Sequence, residues 1–230
     1  MTSGSYGQFC PVAMAAETLC RRWTMVVVRE LVAGSTRFND LRRGVPRMSP
    51  SLLSQRLKEL EAAGIVERVP AHGEHGVHEY RLTPSGRDLL PVVEAFGFWG
   101  QKWVESEPSL QNLDPALLMW DMRRNLDPTP LPPGRTVIRF VYPELPPASR
   151  KWWLVVDPSG EVDLCSADPG FEVDLYITTD LRTMTAIWMG LTTVAREREK
   201  LELDGTRDVA RTMQKWLGLS PFARQRKLVA

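Results

Sequence analysis

Four polar side chains share one face of the helix that the sequence predicts from Ser49 to Gly64. At about 100° per residue, with Leu53 placed at zero, Leu57 and Leu60 lie within about 40° of Leu53. About 100° to 200° away lie Ser51, Ser54, Gln55 and Lys58. Hydroxyl and amide groups donate and accept hydrogen bonds at base edges, and an ammonium group contacts phosphate. This face either reads duplex DNA or is a solvated surface beside an amphipathic core.

Positive charge is concentrated around this helix, although the whole chain carries a formal charge of only +1. Seven Lys or Arg residues and two acidic residues lie between Arg29 and Lys58. Arg42 and Arg43 fall on a short predicted helix just before Ser49, where they suit contacts with the DNA backbone. The predicted DNA-binding set is Arg42, Arg43, Ser49, Ser51, Ser54, Gln55 and Lys58.

The elements around this set follow a known order. An apolar face at Trp23, Val26, Val27 and Leu31, interrupted by Glu30, predicts a helix that ends at Gly34. Residues 65–69 and 77–82 are β-prone runs around a glycine-containing loop, which indicates a hairpin. A further helix is expected from Thr83 to Trp103. Helices followed by a two-stranded wing predict a winged helix-turn-helix, in which the second helix of the pair enters the major groove.

Six segments resemble successive blocks of the HxlR family of bacterial transcription regulators. In chain order they are Cys10–Val12, Arg22–Thr24, Arg37–Arg42, Met48–Leu60, Ala63–Ile65 and Tyr80–Gly86. The resemblance implies a homodimer in which the N-terminal segment and the helix after the wing pack across the two-fold axis. It also implies that the helix from Ser49 reads an operator in double-stranded DNA.

Cys10 matches a cysteine that this family often carries before its first proline, and in some members that cysteine senses oxidants or electrophiles. The resemblance therefore makes Cys10 a possible thiol sensor. Such chemistry requires a stabilised thiolate, which Arg21 or Arg22 supplies only if the fold brings it near. The alternative is a small, partly buried side chain at the dimer interface.

The three histidines of the chain, His72, His75 and His78, lie close together near the hairpin loop. Their spacing does not fit one face of a strand, and Gly73 and Gly76 indicate a flexible turn. The three cysteines form no CxxC pair. We therefore expect no metal site, and a wing tip that approaches the DNA backbone.

The second half of the chain has a different pattern. Seven of the 18 prolines lie between residues 128 and 147, too densely for helix. Strand-like runs are expected at 135–142, 151–157, 161–165, 171–178 and 200–203, with helical patterns near Leu181 and Val209. These elements predict an α+β domain with helices on one face of a small sheet. Its acidic and basic residues balance, which makes it a poor DNA-binding surface.

Segments 173–181, 187–190 and 201–205 resemble the signature region of the sterol carrier protein family. The resemblance implies a sheet and helices that enclose an apolar tunnel for a lipid-like ligand, without catalytic residues. Candidate lining residues are Phe140, Trp153, Met184, Trp188 and Met213. Large aromatic and methionine side chains also fill ordinary cores, which is the alternative interpretation.

The predicted fold class is therefore α+β. A winged helix-turn-helix domain occupies residues 1–104, a linker 105–111 and a sterol-carrier-like domain 112–230. No apolar run approaches the ~18 residues of a membrane span, and the start of the chain lacks a basic leader segment. We accordingly expect a cytoplasmic protein that contacts no membrane.

Motifs typical of catalysis are missing: the sequence has no GxSxG, HExxH, phosphate-binding glycine loop or nucleotide fingerprint. We expect neither an enzyme nor a bound cofactor. The predicted function is an HxlR-type regulator that binds duplex DNA as a homodimer and responds to a small apolar ligand. The main alternative is a carrier or sensor of lipids or other hydrophobic ligands, in which DNA binding is secondary. A zinc or thiol enzyme is the third class considered.

Overall fold

The computed structural model describes residues 5–105 and 110–229. The chain folds as two compact units that divide between Gly97 and Phe98. This point precedes the predicted linker at residues 105–111, of which 106–109 lie outside the described residues. The difference arises because side chains after Gly97 bond within the second unit. The amide of Gln101, for example, donates to the carbonyl oxygen of Met189 at 3.1 Å.

The N-terminal unit begins with a run of helices. They are α1 (Pro11–Leu19), α2 (Thr24–Val32), α3 (Phe38–Gly44) and α4 (Pro50–Ala62). The start of α4 agrees with its predicted cap, because Ser49 Oγ accepts a hydrogen bond from the N–H of Leu52 at 3.3 Å. The helix ends before Gly64, whose φ of +70° is a conformation that glycine adopts without steric cost.

The prediction for α2 was wrong at Val26. The buried face consists of Thr24, Val27, Val28 and Leu31, spaced at i, i+3, i+4 and i+7. Val26 is turned about 100° from Val27 and is 37% exposed. Glu30, the polar exception in the predicted face, is fully buried.

The wing is an antiparallel hairpin, as the sequence predicts. Strand β1 (Val66–Pro70) pairs with β2 (His78–Leu82). A third short element joins them, since Arg37 forms an isolated antiparallel bridge with Glu79. The N–H of Tyr80 donates to the carbonyl oxygen of Thr36 at 2.8 Å. The wing is therefore attached directly to the segment that precedes α3.

The helix after the wing is not continuous, which corrects the prediction of one helix from Thr83 to Trp103. It forms α5 (Pro84–Arg87) and α6 (Leu90–Trp103). Pro91 accounts for the break, because it has no N–H for the carbonyl oxygen of Arg87 and its ring excludes that oxygen. The N–H of Leu89 instead bonds three residues back, to Gly86.

The C-terminal unit is built on a five-stranded sheet. Its strands are β3 (Thr136–Val141), β4 (Lys151–Val156), β5 (Val162–Cys165), β6 (Leu175–Thr178) and β7 (Glu202–Gly205). The sheet order is β5-β4-β3-β6-β7, in which β3 and β6 are parallel and the other pairs antiparallel. The helices are α7 (Pro115–Asn125), α8 (Leu181–Trp188), α9 (Arg207–Arg211) and α10 (Met213–Trp216), with a 3-10 turn at Arg198–Lys200. The expected α+β architecture is confirmed.

The two faces of this sheet bury different clusters. Phe140, Leu154 and Ile177 pack with α7, α8 and α10 into the main core of the unit. The opposite face buries a smaller group around Val137 and Trp153, to which no helix contributes in the described residues. The helices therefore cover one face, as expected. No helix in the described segments has the length and apolar character needed to cross a bilayer.

Candidate nucleic-acid interface

The helix-turn-helix consists of α3, the turn at residues 45–49 and α4. Leu41, Leu53 and Leu57 are buried between these helices and α2. The other side of α4 therefore faces outward, with Ser51, Gln55 and Lys58 exposed and Ser54 half-buried. Arg42, Arg43 and Ser49 are also exposed. The structure brings the seven predicted DNA-binding residues onto two consecutive helices and the residue that caps the second.

Several of these side chains already have partners. Gln55 Nε2 donates to Glu59 Oε1 at 3.0 Å, so its amide must leave Glu59 to reach a base. Arg43 pairs with Asp40 at 3.2 Å on the exposed surface of α3, where such pairs contribute little. Ser49 Oγ caps α4 and lies 3.1 Å from Ser51 Oγ. Ser49 therefore has a structural role in addition to its predicted one.

Glu59 is a residue that sequence reasoning missed. Burial raises the pKa of Glu59, but hydrogen bonds from Gln55 and Arg56 outweigh that effect and lower the pKa overall. The Arg56 bond to Glu59 is 2.6 Å long, and Arg56 also donates to the carbonyl oxygen of Arg22 at 3.1 Å. The spacing of Gln55 and Arg56 to Glu59, i to i+4 and i to i+3, was the available signal.

A buried ion pair connects α2 to the end of α3. Arg29 Nη2 donates to Glu30 Oε1 at 2.5 Å and to the carbonyl oxygen of Gly44 at 2.8 Å. Glu30 is fully buried, and the hydroxyl of Ser35 lies 3.4 Å from its other oxygen. The pair therefore positions the residues that begin the turn before α4.

The wing contributes cations that sequence reasoning did not assign. Arg68 Nη2 lies 3.1 Å from His78 Nδ1 across the hairpin. Arg37, before α3, forms an ion pair with Glu74 in the wing loop, which raises the pKa of Arg37 further. A groove of about 550 Å³ between α3 and the wing is lined by Arg37, Arg43 and Arg68 among others. Arg68 is exposed although it has the same parity in β1 as the buried Val66, so alternation along the strand gave no signal for it.

The histidines do not form a cluster suited to a metal. No group of three or more His, Cys, Asp or Glu side chains in the described parts of the chain could hold a metal ion. His72 and His75 are exposed in the loop, whereas His78 lies on β2 opposite Pro70.

Cys10 lies at the N-terminal end of α1. Backbone N–H groups of Ala13 and, secondarily, Val12 lower the pKa of its thiol. Arg21 and Arg22 lie beyond the other end of this nine-residue helix, roughly 13 Å away at 1.5 Å per residue. The backbone amides at the start of α1 therefore favour the thiolate, and neither Arg21 nor Arg22 contributes to the lowered pKa of Cys10.

Exposed apolar side chains occur on α6 and on the segment around α1. On α6 they are spaced at i, i+4, i+7 and i+11 and therefore share one face: Val92, Phe96, Trp99 and Trp103. On the N-terminal segment Phe9 is 97% exposed, and Val12 and Met14 are also open to solvent. Not every apolar residue of α6 takes part, because Val93 packs into the N-terminal core and Phe98 contacts Phe222.

The predicted ligand-lining residues do not form one group. Phe140, Met184, Trp188 and Met213 belong to the main core of the C-terminal unit and are between 0% and 5% exposed. Trp153 lies on the opposite face of the sheet, because it pairs with Arg139 while Phe140 pairs with Trp152. Successive residues of a strand face opposite sides of the sheet, so Trp153 does not share a face with Phe140 and lies apart from the other four.

Comparison with known proteins identifies similarities to the N-terminal unit. A model of the HxlR-like helix-turn-helix family matches residues 18–108. An uncharacterized HTH-type transcriptional regulator of Bacillus subtilis, YvaP, is 34% identical over 99 residues, which are 43% of this chain and 92% of that protein. A regulator of Mycobacterium tuberculosis, Rv3095, is 39% identical over 95 residues, which are 40% of this chain and 58% of that protein.

Two solved structures are similar over the same region. The first, PA1607, a putative transcription factor, has 34% identity and a TM-score of 0.39 over 41% of this chain and 66% of that one. The reduced form of the redox regulator HypR has 35% identity and a TM-score of 0.38. The match covers 40% of this chain and 91% of that one. The family and the matched relatives are transcriptional regulators, not enzymes.

Proposed function

This chain belongs to the HxlR-like helix-turn-helix family, and we propose that it is a regulator that reads an operator in duplex DNA as a homodimer through α4. The observation that carries the proposal is the outward face of α4, where Ser51, Gln55 and Lys58 are exposed opposite buried leucines. Arg42 and Arg43 at the end of α3 supply positive charge for contacts with the phosphates of the DNA backbone.

Base reading and phosphate contact are separable by two substitutions. Gln55→Ala removes an amide whose bidentate contact with a base is worth about 1 to 3 kcal/mol of discrimination, so we expect relaxed sequence preference. Lys58→Ala should weaken binding to every duplex similarly and reduce the salt slope by about one. Lys151→Ala is the matched control, because Lys151 is an exposed lysine of the C-terminal unit. Unchanged affinity and preference in both α4 variants contradict the proposal.

A second copy of the chain is the partner that best suits the exposed apolar side chains. Two-fold symmetry makes one surface meet itself, so the same residues are covered in both copies. Apolar exposure concentrated on α6 and around Phe9 exceeds the scattered exposure usual on a monomer. Such a dimer suits reading helices in major grooves about one helical turn, ~34 Å, or a multiple apart.

Dimerisation is tested by charge placed in the apolar face of α6. Phe96→Glu should shift the chain to monomer in sedimentation and weaken operator binding, because a buried unpaired carboxylate is strongly unfavourable. Glu94→Gln changes charge at a neighbouring exposed position of the same helix and should leave the dimer intact. A monomeric wild type at micromolar concentration rules out the homodimer.

The C-terminal unit is proposed to be a sterol-carrier-like domain through which a small apolar ligand modulates DNA binding. Its sheet, covered by helices on one face, is compatible with that role. Because Met184 and Met213 are fully buried, a ligand must displace core side chains to enter. Native mass spectrometry of the purified chain tests this, with a bound apolar molecule as the expected result and an unliganded mass as the contrary one.

A further inference from the structure

A cavity of about 390 Å³ lies in the N-terminal unit, away from the reading face of α4. It is formed by the end of α1, the start of α2 and the second half of α4. Its charged and hydroxyl-bearing lining residues are Glu17, Thr18, Arg21, Thr24, Arg56 and Glu59. The volume lies within the range of pockets that bind small molecules.

The two carboxylates at this cavity already accept hydrogen bonds. Glu17 Oε1 accepts from the hydroxyl of Ser5 at 2.8 Å and from the N–H of Tyr6 at 2.7 Å. Glu59 accepts from Gln55 and Arg56, as described above. Neither carboxylate therefore needs a cation from solution.

The groups with spare hydrogen-bonding capacity are donors. Thr24 is 2% exposed, and its hydroxyl has no partner among the described residues, although a buried hydroxyl without one is costly. Arg21 donates through Nε to the carbonyl oxygen of Glu17 at 3.2 Å, but its Nη1 reaches Glu59 only at 3.5 Å and its side chain is about half exposed. Thr24 is also the first residue of α2, a nine-residue helix whose N-terminal end carries partial positive charge.

From these three features we infer that the cavity is an effector site for a small anion, bound by the Thr24 hydroxyl, the N-terminal end of α2 and the Arg21 guanidinium. The chemical class is a small molecule bearing a carboxylate or phosphate group. Such an anion gives the buried Thr24 hydroxyl a hydrogen-bond partner. It also draws the Arg21 guanidinium away from its 3.5 Å contact with Glu59. Glu59 also accepts a hydrogen bond from the amide of Gln55. Binding of an anion at this site therefore alters the contacts of Gln55 on the reading helix.

DNA backbone phosphate is not the anion that this cavity suits. At about 100° per residue, the cavity-lining residues of α4 are centred about 120° around the helix from the reading residues. The carboxylates of Glu17 and Glu59 at its edge repel an extended polyanion. A compact anion brings fewer charges close to these carboxylates.

Thermal unfolding of the 230-residue chain tests the site. Inorganic phosphate and benzoate serve as separate probes for the two anion types, each against chloride at equal ionic strength. At ten times the dissociation constant, binding should raise the folded-to-unfolded ratio about elevenfold. Thr24→Val should lose this response while folding normally, because it removes only a hydroxyl that bonds to none of the described residues. Thr24→Ser should retain the response, and Arg21→Gln should weaken it.

The inference is overturned if both anions stabilise wild type and Thr24→Val equally. It is also overturned if neither anion stabilises wild type. The effector role is measured separately, by operator affinity with and without the active probe. An affinity change in wild type that is absent in Thr24→Val supports the role, and equal affinities overturn it. This second step rests on the proposed DNA binding. If wild type fails to bind DNA without any probe, the proposed function fails while the unfolding test of the site still stands.

Discussion

Replacing Gly44 with alanine tests how the buried charge of α2 positions the turn before α4. A Cβ atom at Gly44 would lie 1.9 Å from Cδ and Oε2 of Glu30, much closer than atoms can approach. The Glu30 carboxylate is fully buried and must move. Its movement breaks the hydrogen bonds from Arg29, which also donates to the carbonyl oxygen of Gly44.

The expected cost follows from the burial of this pair. Breaking a buried ion pair costs about 3 to 5 kcal/mol, because a charge is left without compensation. Arg29 is one-third exposed, so water partly replaces the hydrogen bonds that its guanidinium loses. We therefore expect the free energy of unfolding to fall by about 3 kcal/mol. In a unit of this size, a loss of 1 kcal/mol lowers Tm by about 4 to 8 °C. The expected decrease is therefore about 12 to 24 °C.

Urea and thermal unfolding of the whole chain, with the transitions of both units followed, measure this loss. Gly100→Ala is the matched control, because a Cβ there meets nothing within 4 Å and Gly100 lies inside α6. Alanine is favoured over glycine in a helix interior by up to about 1 kcal/mol, so the control should be neutral or stabilised. A Gly44→Ala variant within about 1 kcal/mol of wild type would refute the argument from the buried pair.

Two further predictions follow from the shifted pKa values. Because the pKa of Glu59 is lowered from its ordinary value of 4.5, its ion pairs stabilise the fold above about pH 4.5 and are lost as pH falls through the lowered value. The stability difference between wild type and Glu59→Gln should therefore shrink on acidification, and a difference independent of pH contradicts this. The thiol of Cys10 should react with iodoacetamide faster than the thiol of Cys165. The pKa of Cys10 is lowered, whereas burial and the charge of Asp163 raise the pKa of Cys165. Peptide mapping by mass spectrometry gives both rates, and equal rates argue against a favoured thiolate at Cys10.

The sequence predicts the elements with strong local signals. The cap at Ser49, the leucine stripe of α4 and the hairpin each depend on residues close together in the chain, and each forms as expected. The strands of the C-terminal unit were predicted for the same reason. Local chemistry also contained the signal for the break at Leu89, since Pro91 cannot supply a helical N–H.

Features that depend on distant residues could not be predicted in the same way. The close approach of the Glu30 side chain to Gly44 becomes visible only when α2 and α3 pack together. The hydroxyl of Thr24, for which the described part of the chain offers no partner, likewise depends on α1 and α4 closing around it. Trp153 was grouped with Phe140 because apolar type alone does not reveal which face of a sheet a residue occupies.

Selection of duplexes from a random pool by the 230-residue chain tests the central claim most directly, when followed by salt titration of the enriched sequence. We predict enrichment of an inverted repeat whose half-sites are about one helical turn, ~34 Å, or a multiple apart. Its affinity should fall steeply with salt in wild type and less steeply in Lys58→Ala. Failure to enrich any sequence, or equal salt slopes in the two proteins, would contradict DNA reading by α4.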